Sequence, residues 1–199
     1  MTMSSFSPVT VGWVAIASGV VALAGLVFII LFFTVGQPFG TLNDVCIALA
    51  AVLSGILAWM LYPAHSAQSP QLSQAALAAA LAGALVVVVG SVLVISGVKG
   101  WLLAGLYMTA GNALIGLWLI GLTYSALHTS SWPHGLVVFG LAAGLIMAVG
   151  LASVPGILRG VDAQALAPWY VNAGYVGGLG WMLLYPAWCI WLGRTLLPG

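Results

Sequence analysis

Six apolar runs, each long enough to cross a bilayer, follow one another with almost no polar chain between them. A helix needs about 20 residues to span a hydrocarbon core of roughly 30 Å, and in lipid its backbone must satisfy its own hydrogen bonds. The runs fall at 11–34, 44–62, 75–96, 101–126, 135–154 and 169–192. Stretches such as 14–33 and 75–95 are apolar on every side, which excludes the alternating pattern of a transmembrane β-barrel. The chain is therefore read as all-α, a single polytopic domain over residues 1–199 with six transmembrane helices.

Charge supports the same reading. Only Asp44, Lys99, Asp162, Arg159 and Arg194 are charged, 3% of the chain against 63% hydrophobic residues, where a water-soluble surface needs roughly a quarter charged. Nucleic-acid binding is excluded, since no basic patch exists. The amino terminus, MTMSSFSPVT, lacks the positive segment of a secretory signal, so the first span is expected to be retained. An even number of spans puts both termini on one side. Lys99 and Arg159 lie in loops at the other side against Arg194 alone, which places the termini on the non-cytoplasmic face.

Landmarks recur along the chain with a period near 61 residues. Tyr62, Tyr124 and Tyr185 close the second helix of each successive pair, and Ser18-Gly19, Ala82-Gly83 and Ala143-Gly144 mark the first. The connecting turns hold Gly36 and Gly40, Gly97 and Gly100, and Gly156 and Gly160. These spacings predict three tandem helical hairpins, at about 11–64, 75–127 and 135–193, related as parallel repeats by an axis along the membrane normal. Asn112 and Asn172 correspond within this pattern, whereas the first unit offers only Leu49 or Ala50 at the matching place.

The polar residues are few enough to consider singly. Thr41 and Asp44 have the spacing of a capping box and are expected to cap the second helix, with the Asp44 carboxylate opposing the helix dipole. Arg159 and Asp162 are expected to form an interfacial ion pair. Asn112 lies near mid-membrane; its amide is expected to bond a neighbouring helix, with contact to a ligand or pore water as the second reading, which Asn172 shares. Glycines of the fourth and last spans are read as close helix contacts, although a groove for a lipid tail would draw on the same residues. The tryptophans and tyrosines, Trp188 among them, are assigned to interfacial belts.

Chemistry-bearing motifs are scarce. Cys46 and Cys189 have no metal spacing and read as small core residues; His65, His128 and His134 gather in loops on one side without an acidic residue to orient them. No metal site or cofactor is assigned, though a bound lipid or apolar pigment fits the composition. Nucleotide-binding and hydrolase motifs are absent. The first expectation is a non-catalytic subunit or scaffold of a membrane assembly, in contact with the bilayer, other membrane subunits or further copies of itself. A permease or channel for a small neutral or apolar solute, through Asn112 and Asn172, is the alternative, and a lipid-modifying enzyme the third.

Overall fold

A computed structural model describes residues 6–66, 69–127 and 132–198, apart from the side chains of His65 and Leu166. All six expected spans are helices: Pro8–Val35, Phe39–Ser66, Pro70–Ile95, Trp101–Leu127, His134–Leu158 and Trp169–Leu196. No strand occurs among the described residues. The protein is an integral, multi-pass membrane protein.

Proline and glycine set the boundaries. Pro8 and Pro70 start the first and third helices, where a missing N–H leaves nothing unsatisfied. Gly36, Gly97 and Gly160 end the first, third and fifth with φ of 102°, 70° and 64°, a left-handed backbone that side chains disfavour. These are three of the turn glycines picked out by their spacing.

Each helix packs on the next in sequence, and the last returns to the first through its carboxy-terminal part, so the bundle closes on itself. Gly12 meets Gly193 there: a Cβ on Gly12 would stand 3.0 Å from the Gly193 carbonyl oxygen. Other helix pairs approach the same way. A Cβ on Gly83 would come within 2.5 Å of the Gly111 carbonyl oxygen, one on Gly144 within 2.8 Å of that of Gly116, and one on Gly177 within 2.5 Å of the Gly150 nitrogen. Small residues let backbones touch where the hydrophobic effect offers no drive between helices. The two cysteines fill similar gaps, Cys46 against Gly25 and Cys189 against Gly19.

The fourth and sixth spans are the least apolar and the most buried, while the first, the most apolar, gives most of its surface to lipid. Their aromatic residues explain part of this. Trp181, Tyr185 and Trp188, spaced to share one face of the last helix, stack in the core at centroid distances of 4.9 and 6.2 Å. Trp188 is thus a core residue and not a member of the interfacial belt, where Trp13, Trp101 and Trp169 do lie exposed. The repeated tyrosines also differ in setting: Tyr185 is fully buried and Tyr124 half exposed.

Two helices depart from α geometry beside prolines. Pro155 cannot donate to the Leu151 carbonyl, and the preceding stretch Val149–Ser153 tightens into a 3₁₀ segment. Pro186 cannot donate to Met182, and Gly180–Leu184 widens into a π turn in which Tyr185 N–H reaches back to the Gly180 carbonyl. The last helix is so divided into an upper half, Trp169–Leu179, and a lower half, Tyr185–Leu196. Its lower half packs along the first helix; its upper half instead follows the fifth and fourth.

Candidate functional site: an acceptor-rich cavity open to the bilayer

Divergence of the first helix from the upper half of the last leaves a cavity of about 570 Å³ between them, walled also by the second and fourth helices. It lies at the Trp101 end of the bundle, away from the contact of Gly12 with Gly193. Its sides are apolar and aromatic: Phe33, Trp101, Tyr175 and Trp181 contribute rings, with Ile47 and Met108 between them. Phe33 and Leu179 are 69% and 57% exposed, so the gap faces lipid. Trp181 lines it and stacks on the buried Tyr185 toward the other end of the bundle.

Three helices bring polar groups to these walls. The second supplies Asn43 and Asp44, both buried, with the Asn43 Nδ2 donating to Asp44 Oδ1 at 3.3 Å. This corrects the capping expectation. The second helix begins at Phe39, so Thr41 is already inside it, and the Thr41 N–H donates to Gln37 Oε1 at 3.4 Å. Gln37 does what was expected of Thr41 and Asp44. One turn and a half into the helix, Asp44 instead turns to the cavity, 7% exposed. Among the described residues no lysine or arginine pairs with it.

Thr109 and Asn112 come from one face of the fourth helix, below Gly105. Asn112 stands 11 residues from Trp101, about 16 Å along the axis and close to mid-membrane. It is 5% exposed, and its Oδ1 has no hydrogen-bond partner. The expected bond to a neighbouring helix is therefore not formed. Asn172, exposed, lines the same cavity from the upper half of the last helix, one turn before Tyr175. The structure thus brings Asn112 and Asn172 to one site and adds Asn43, Asp44, Thr109 and Tyr175.

Gly105 and Gly178 also line this space, and a Cβ on either would meet nothing within 4 Å. Their smallness serves no helix contact, unlike that of Gly83 or Gly177. They keep the walls clear.

Donors and acceptors are unequally used. The Thr109 hydroxyl donates to the Gly105 carbonyl at 2.8 Å, the Tyr175 hydroxyl to Gln164 Oε1 at 3.1 Å, and the Asn43 amide to Asp44. The oxygens of Asn43 and Asn112 stay unpartnered. The Asp44 carboxylate, with one amide donor and no basic partner among the described residues, carries a desolvation penalty that a donor-bearing occupant would relieve.

Beside the cavity mouth the last loop is tied down. Asp162 accepts from Gly100 N–H at 2.8 Å and Leu103 N–H at 3.0 Å, capping the fourth helix from 59 residues or more away in sequence. Arg159, expected to pair with Asp162, donates to the Tyr170 hydroxyl at 3.0 Å and lies over its ring at 5.7 Å. Among the described residues no group of three His, Cys, Asp or Glu side chains gathers as for a metal. His134 opens the fifth helix, exposed; His128 and the side chain of His65 lie outside the described residues. Comparison with protein-family models, curated proteins and solved structures finds no match to this chain.

Proposed function

We propose that the protein is a permease-type carrier that takes a small, largely apolar solute from one leaflet into the cavity between its first and last helices. The observation that carries this reading is a 570 Å³ space inside the bundle, lined by Asp44 and Asn112 among apolar residues and kept open by two glycines. Pockets of this size, apolar with a few convergent polar groups, suit small ligands. Buried Asp44, a charged side chain inside a span, favours a carrier over a scaffold.

The stacked Trp181 and Tyr185 beneath the cavity argue for a carrier over an open channel. Passage would require the upper half of the last helix to move about the π turn at Gly180–Leu184. Lys99 and Arg159 at the cavity end favour the cytoplasmic leaflet for its mouth. The tandem-hairpin organisation is part of the same reading; it is supported by the sequential packing and the three left-handed turn glycines, and it requires the three helix pairs to superpose about an axis along the membrane normal.

The test is uptake of small aromatic solutes by liposomes containing the full chain, with Gly105→Phe as the blocked form. Uptake above empty liposomes that the blocked variant lacks, while remaining folded, is expected; equal uptake by both would end the carrier reading.

A further inference from the structure

We propose that the occupant of this cavity is an organic ammonium ion with an aromatic or apolar body, its charged nitrogen held by Asp44. The inference rests on the carrier reading and adds the class of solute.

One buried group of the wall selects for positive charge. Asp44 is a carboxylate inside a span with no basic partner among the described residues. An ionised group in such surroundings is costly unless a counter-charge reaches it, and the cavity is the open route by which one could arrive. The Asn43 amide donates to the carboxylate, which holds Asp44 in place, while the Asn43 carbonyl oxygen is turned toward Gly25. A neutral solute would leave the Asp44 carboxylate without a counter-charge, and an anion would be repelled by it.

The remaining wall suits the body of such a cation. Phe33, Trp101, Tyr175 and Trp181 present aromatic surface around the polar end. Rings attract ammonium groups through their negative faces, most strongly where water is excluded. An acyl chain would fill the apolar part and leave Asp44 without a counter-charge.

The experiment is equilibrium binding of tritiated phenethylamine, protonated at neutral pH, to the full chain in lipid nanodiscs. Benzyltrimethylammonium, which keeps the charge without N–H donors, and propylbenzene, which has neither, are the competitors. Phenethylamine is expected to bind saturably, benzyltrimethylammonium to compete several-fold more weakly, and propylbenzene to compete at least a hundredfold more weakly. Asp44→Asn should lower affinity at least tenfold. Trp101→Leu, which removes an aromatic face of the wall and is expected to lower it several-fold, carries the test if Asp44→Asn does not fold.

Propylbenzene competing as well as phenethylamine, or undiminished binding to both folded variants, would overturn the ammonium assignment and leave the carrier reading standing provided Gly105→Phe still blocks binding. Saturable binding that Gly105→Phe does not affect would place the ligand elsewhere and overturn both. Absence of saturable phenethylamine binding overturns the ammonium assignment alone if liposomes still take up neutral aromatic solutes.

Discussion

Tyr185 donates its phenolic hydroxyl to Ser54 at 2.7 Å in the buried centre of the bundle, and Ser54 passes its own proton to the Ala50 carbonyl at 2.7 Å. The last helix is thereby fastened to the second just beneath the cavity. The two partners are unequal. Tyr185→Phe leaves Ser54 bonded to Ala50 and should cost about 1 kcal/mol, whereas Ser54→Ala leaves the buried hydroxyl only the Cys189 sulfur, a weak acceptor, and should cost about 1–3 kcal/mol. Thermal unfolding in detergent should rank wild type above Tyr185→Phe above Ser54→Ala, with the double variant more stable than Ser54→Ala alone. A double variant that loses the sum of both would show the hydroxyl of Tyr185 to have another acceptor.

Asp162 predicts a second effect on stability, confined to the loop before the last helix. Asp162→Ala removes the acceptor of the Gly100 and Leu103 N–H groups and should cost about 1 kcal/mol, while Asp162→Asn retains a capping oxygen and most of the stability. Hydrogen exchange at the amide of Leu103 reports the cap directly. Protection unchanged in Asp162→Ala would refute it.

Glycines of two kinds should respond in opposite directions. Gly177→Ala places a methyl group 2.5 Å from the Gly150 nitrogen and must push the fifth and sixth helices apart, at about 1–3 kcal/mol. Gly105→Ala meets nothing and should raise helix stability by up to about 1 kcal/mol. Melting temperatures of the two variants, measured side by side, should lie on either side of wild type.

Pro186→Ala restores an N–H that can reach the Met182 carbonyl, so the π turn at Gly180–Leu184 should relax toward α geometry. Stability should hold or rise while solute uptake falls, because the upper half of the last helix would be held in line with the lower. Uptake unchanged in this variant would mean that the turn has no part in transport.

The six spans were legible because hydrocarbon imposes length and apolarity on every segment that crosses it, and the turn glycines because only a left-handed backbone closes such short connections. The polar site was half legible. Gly105, Thr109 and Asn112 repeat at the spacing of one helix face, as do Asn172 and Tyr175, and this alignment was the available signal for Thr109 and Tyr175. Asp44 was misread because the pattern Thr41 to Asp44 matches a capping box wherever the helix happens to start. Starting at Phe39, just after Pro38, the helix carries both residues inside. No spacing could have foretold that the upper part of the last helix leaves the first, since that follows from tertiary packing around Pro155 and Pro186. For the same reason the role of Gly105 and Gly178 was invisible: whether a small residue touches a neighbour or faces a void is decided between helices.

The opening between Phe33 and Leu179 fixes what the site can sense. A molecule reaching it through hydrocarbon is met at its concentration in the membrane, which is its aqueous concentration multiplied by its partition coefficient. Half-saturation expressed per volume of water should then move with the amount of lipid in the assay, and agree between assays only when expressed as solute per lipid. Among a series of solutes with one polar head, each added methylene would raise occupancy by enrichment in the bilayer alone, before any contact with the cavity wall is made.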